Sequence, residues 1–146
     1  MILTSEIQSQ ESTNFKTNIL DINTINKLIE IFKSTYDPEI PINIYDLGLI
    51  YEVNIINDVM NIKLNLTAIG CPYYNKILNE LKEKIKQILH ITNINIEFIY
   101  DPPWNPGRMT KEGREMYKAI YGYDPYEIWA REQKEFEEEQ KELEEF

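Results

Sequence analysis

Several residue types are scarce in this 146-residue chain, and each scarcity excludes something. There is one cysteine, Cys71, so no internal disulfide can form and a stapled secreted domain is not indicated. There is one histidine, His90, which limits thiol–imidazole and histidine-metal chemistry. Basic residues number 15 against 25 acidic ones, for a net charge of −10. A nucleic-acid binder needs a basic face to displace counterions, so that class is disfavoured, as is an anionic membrane surface. No run is apolar enough to span a bilayer. The first eighteen residues lack both the apolar core of a signal peptide and the arginine-rich bias of a transit peptide, so the cytosol is the expected compartment.

What is present describes a folded domain. Hydrophobic residues make up 42% and aromatics 12%, enough for one core at this length. The acidity is local. Residues 132–146 hold eight glutamates and two lysines, for a charge of −6, which leaves −4 for the remaining chain.

The hydrophobic pattern predicts a helix over residues 21–36, with Ile22, Ile25, Leu28, Ile29, Phe32 and Tyr36 on one face. Asp37-Pro38 ends it. Strands are expected over 48–56 and 59–67, joined at Asn57-Asp58, with Asn61, Lys63, Asn65 and Thr67 on a wet face. A second amphipathic helix runs to Leu89, and a third strand covers 92–100. Thr110 is placed to cap a short helix, Gly122 to end it, and Asp124-Pro125 to open another. The expected class is α+β: an α-β-β-α-β sandwich with helices on one face of a three-stranded mixed sheet, and a C-terminal helical extension. Residues 1–20 are expected as a flexible tail, 21–107 as the domain, and 108–146 as the extension with its acidic end.

This topology brings three loops to one rim: Asp46 to Gly48, Thr67 to Cys71, and Asp101 to Trp104. Pro72 suits a first helical turn, which makes Cys71 the expected N-cap. Unpaired N–H groups and the helix dipole would favour its thiolate there. The plainer alternative is a small buried hydrophobe. Asp37, Asp46 and Asp101 have plainer readings too, as turn caps, and Trp104 as a core or lid aromatic.

The segments "DPEIPINIYDLGLIY" (37–51), "TAIGCP" (67–72) and "DPPWNPGRMT" (101–110) resemble, in order and spacing, the SufT-like family of iron–sulfur cluster assembly proteins, which includes PaaD-like members. The likeness covers residues 22–114. It implies a compact α+β domain acting in maturation of iron–sulfur proteins, with cluster assembly proteins and client apoproteins as partners. Asp37, Glu39, Asp46, Thr67 and Trp104 match the family's motif residues and Cys71 its reactive cysteine, so these six are the expected binding residues, with Cys71 the expected metal contact. The segment beyond Arg114 is longer than the family ending.

One thiolate cannot complete the four-cysteine shell of an iron–sulfur cluster. A cluster or iron held at Cys71 would be labile and shared: with a second copy in a homodimer, with a client, or with a small ligand. Two other functions remain open. One is an adaptor that binds proteins through the rim and the acidic tail. The other is a thiol enzyme, which needs a base about 3 Å from the sulfur, whereas a helix ending at Leu89 puts His90 about 27 Å away. For the tail, Trp129, Phe136 and Leu143 recur every seven residues. That stripe fits a helix packed by its first turns, or one docked on another chain.

Overall fold

The computed structural model describes residues 14–65 and 74–144. The first helix, α1 (Ile22–Lys33), starts where Asp21 accepts hydrogen bonds from the Asn23 N–H at 3.3 Å and the Thr24 hydroxyl at 2.8 Å. Ile25, Leu28, Ile31 and Phe32 form its buried face. It stops short of Tyr36. Ser34 and Thr35 hydroxyls bond the Ile31 carbonyl, and Tyr36 instead forms an extended bridge with Asn43. Tyr36 is therefore exposed rather than part of the helix face.

β2 (Ile50–Ile56) and β3 (Val59–Leu64) form the expected antiparallel hairpin. Asn57 and Asp58 both have positive φ, 51° and 64°. A two-residue turn of this hand matches the strand twist, and these residue types tolerate it without glycine. Then α2 (Tyr74–Leu89) crosses the sheet, and β4 (Ile94–Phe98) pairs parallel with β3, Ile62 opposite Ile96. That direction is the one a helical crossover dictates.

The sheet has four strands, not three. Lys16–Thr17 is a short strand, β1, running parallel to the outer edge of β2. Phe15 and Ile19 beside it are buried in the core. Residues 14–20, expected with the loose tail, thus belong to the packed body. Two residues carry too little alternation to register as a strand; the Asn18–Asn54 and Asn18–Ile55 hydrogen bonds hold them.

Val53, Met60, Ile62 and Leu64 meet Ile77, Leu81 and Ile85 of α2 and the buried face of α1 in one core. Lys84 donates to the Ser34 carbonyl at 2.9 Å, which ties α2 to the end of α1. Asn61 and Lys63 lie on the polar face as expected, but Asn65 is buried, held by Tyr51. After β4 come a 3-10 turn (Pro106–Arg108), α3 (Lys111–Tyr121) and α4 (Pro125–Glu144). Thr110 caps α3, and Gly122 ends it in the left-handed conformation.

Candidate functional site: a clamped rim loop

Every residue from 42 to 50 is buried, although the segment before β2 is a loop. Buried backbone must find partners, so its carbonyls are informative. Four successive ones accept hydrogen bonds from distant residues. The Asp46 carbonyl takes the Thr110 N–H at 2.9 Å and Leu47 takes the Trp104 indole N–H at 2.6 Å. The Gly48 carbonyl takes Arg108 Nε–H at 2.9 Å, and Leu49 takes the Asn65 N–H at 2.9 Å.

The Asp46 carboxylate is also engaged. Oδ1 accepts from the Thr110 hydroxyl at 2.7 Å, and Oδ2 from the Asn43 amide at 2.7 Å. Asn43 Oδ1 in turn accepts the Asp46 N–H at 2.8 Å. Next to it, burial first and the Asp46 charge second push the Tyr45 phenol above its ordinary pKa, so Tyr45 is neutral at physiological pH.

Close backbone approach completes the clamp. Gly48 has φ +74°, and a Cβ there would collide with the Arg108 carbonyl. A Cβ on Gly113, in the first turn of α3, would collide with the Asp46 carbonyl. The Arg108 guanidinium stacks 3.7 Å above the Tyr51 ring centroid, and burial lowers its pKa. The Tyr51 hydroxyl donates to the Pro102 carbonyl at 2.9 Å.

Two of the three expected loops, 46–48 and 101–104, are therefore joined. Thr67 and Cys71 lie outside the described residues. The flanking Asn65 is bonded to Leu49 and Tyr51, and Tyr74 packs edge-on against Phe98 with centroids 4.9 Å apart. Asp37 is buried, and its Oδ1 accepts the N–H groups of Glu39 at 2.8 Å and Ile40 at 2.9 Å. That makes "DPEIP" a side-chain-closed turn. Glu39 is exposed. Between this turn and α2 lies an open depression of about 640 Å³, lined by Tyr36, Asp37, Pro38, Lys76, Ile77 and Glu80. Asp101 is exposed on a second depression beside Tyr51 and Arg108.

Sequence reasoning did not find Asn43, Arg108 and Gly113. Thr110 was visible only as a helix cap, and nothing local marks the second use of its hydroxyl. Among the described residues, no group of three or more His, Cys, Asp or Glu side chains could hold a metal ion. Nor is any described helix long and apolar enough to cross a membrane.

Residues 26–98 match the model of a family described as iron–sulfur cluster assembly protein. Over 92 residues the chain is 33% identical to an Fe-S protein maturation auxiliary factor of Porphyromonas gingivalis, covering 62% of this chain and 88% of that one. It is also 33% identical, over 76 residues, to the Fe-S protein maturation auxiliary factor SufT of Staphylococcus aureus, covering 51% and 86%. A solved domain of unknown function from Bacillus anthracis is similar with a TM-score of 0.58 and 28% identity, covering 64% of this chain and 91% of that one. A conserved hypothetical protein from Thermotoga maritima is similar with a TM-score of 0.53 and 31% identity, covering 63% and 91%.

Proposed function

This chain belongs to the SufT-like family of iron–sulfur cluster assembly proteins, and we propose that it is a cytosolic maturation factor that helps to assemble clusters or pass them to client apoproteins. The observation that supports this best is the clamped loop, whose carbonyls at residues 46–48 are held by Thr110, Trp104 and Arg108, so that two of the three family motifs are joined. A rigid loop at the end of a sheet is a suitable platform for presenting a ligand.

In this reading Cys71 supplies the thiolate that contacts the cluster, and Thr67 belongs to the same motif. Asp37, Asp46 and Trp104 shape the rim, because their polar groups are already engaged within the protein. Glu39, exposed on its turn, offers its carboxylate to a partner. The cluster is cargo. A single thiolate leaves most of its coordination to a second copy, a client or a small ligand. Such a shell exchanges readily, which serves transfer and not catalysis.

Anaerobic reconstitution with iron and sulfide, followed by visible spectroscopy, tests this reading. Wild type is expected to gain charge-transfer absorption that Cys71→Ala lacks. Equal spectra from the two proteins would remove Cys71 from the site.

A further inference from the structure

The loop at residues 46–48 is clamped by Trp104, Arg108 and Thr110, all from the 101–110 segment, which lies beyond residues 26–98 of the family model. We propose that Thr110 and Arg108 are positioning residues for the rim, so that its working unit runs through Gly113; this rests on the reading that the rim handles clusters.

Thr110 uses every polar group it has on two tasks. Its N–H and hydroxyl donate to the Asp46 carbonyl and carboxylate, while the hydroxyl oxygen accepts the Gly113 N–H at 3.0 Å. One residue therefore closes the loop and caps α3, and neither can shift without the other. Arg108 has a similar double role. Its Nε–H holds the Gly48 carbonyl while its guanidinium plane lies on Tyr51. A lysine ammonium has no plane to stack while donating sideways, so it cannot do both. Glycines sit at both contact points, Gly48 under the Arg108 carbonyl and Gly113 against the Asp46 carbonyl. The two surfaces touch backbone to backbone.

The test compares wild type, Thr110→Val, Thr110→Ser and Arg108→Lys. Each is loaded anaerobically with iron and sulfide, and cluster transfer to apoferredoxin is timed. Amide hydrogen exchange over residues 43–49 is followed in parallel. Thr110→Val keeps the shape and removes the hydroxyl. It is expected to exchange these amides faster and to transfer about tenfold more slowly at equal iron loading, the effect of losing both hydrogen bonds of the hydroxyl, to the Asp46 carboxylate and from the Gly113 N–H. Thr110→Ser is expected to restore both, and Arg108→Lys to move in the direction of Thr110→Val. Faster exchange with unchanged transfer would make the two residues structural only and overturn the proposal. If Thr110→Val does not fold by circular dichroism, Arg108→Lys decides between the same outcomes. Wild type without transfer would overturn the proposed function and this inference together, whereas active wild type with equally active variants overturns the inference alone.

Discussion

Gly48 and Gly122 both have positive φ, +74° and +87°, yet their surroundings differ. Gly122 has open space where a Cβ would go, while Gly48 has the Arg108 carbonyl. Gly122→Ala is expected to cost about 1 kcal/mol, the left-handed penalty alone. Gly48→Ala adds overpacking in a buried loop, for a total of about 3 kcal/mol. Urea unfolding of the two variants measures the difference, and equal midpoint shifts would mean that the loop and Arg108 are not pressed together. The individual residues here were legible in the sequence: Asp46, Trp104 and Gly48 lie in motifs, and Thr110 stands at a cap position. The topology also brought the loops of Asp46 and Trp104 together, as the Trp104–Leu47 bond bears out, but the Asp46–Thr110 pairing was not legible. Asp46 and Thr110 are 64 positions apart, and no periodicity records a contact that depends on how α3 returns to the loop.

Helix caps were legible because a cap is local, and the β2–β3 and β3–β4 pairings followed from a short turn and a helical crossover. Asp21, Thr110, Gly122 and Asp124-Pro125 all mark boundaries, whereas β1 exists only through β2. The α3–α4 junction makes a prediction from one such cap. Asp124 accepts the Tyr126 N–H at 2.9 Å and pairs with Arg114, Nη2 to Oδ2 at 2.7 Å; the Arg114 guanidinium also lies 4.1 Å from the Tyr126 centroid. The hydrogen bond from Arg114 holds the Asp124 carboxyl below its usual pKa. A depressed carboxyl pKa stabilises the fold above the unfolded value, and that contribution is lost as pH falls through the folded value. Thermal unfolding of wild type and Asp124→Asn is therefore expected to differ at pH 7, with a gap that begins to narrow near the ordinary carboxyl value of about 4 and closes only below the depressed folded value. A gap that persists at low pH would show that the charge of Asp124 is not what holds the junction.

At the scale of the whole molecule, charge and packing divide at the same place. α4 meets the body through its beginning, where Pro125 is buried and the Trp129 ring stands against Gly107. From residue 131 to 144 every position is exposed, including Phe136 at 58% and Leu143 at 68%. Residues 132–146 also carry −6 of the net −10. A helix that buries nothing contributes little to folding, and solvated residues away from caps and cores rarely change stability by more than about 0.5 kcal/mol. Truncation after Arg131 is therefore expected to leave the unfolding midpoint in place while far-UV circular dichroism loses helical signal. A midpoint lowered by several degrees would show that the stripe packs on the body. Mass in solution supplies the other reading of Phe136 and Leu143. If they join two chains, the full-length protein has a larger mass that truncation abolishes, and its midpoint rises with protein concentration. For a solvated extension, the mass is that of one chain before and after, and the midpoint does not depend on concentration.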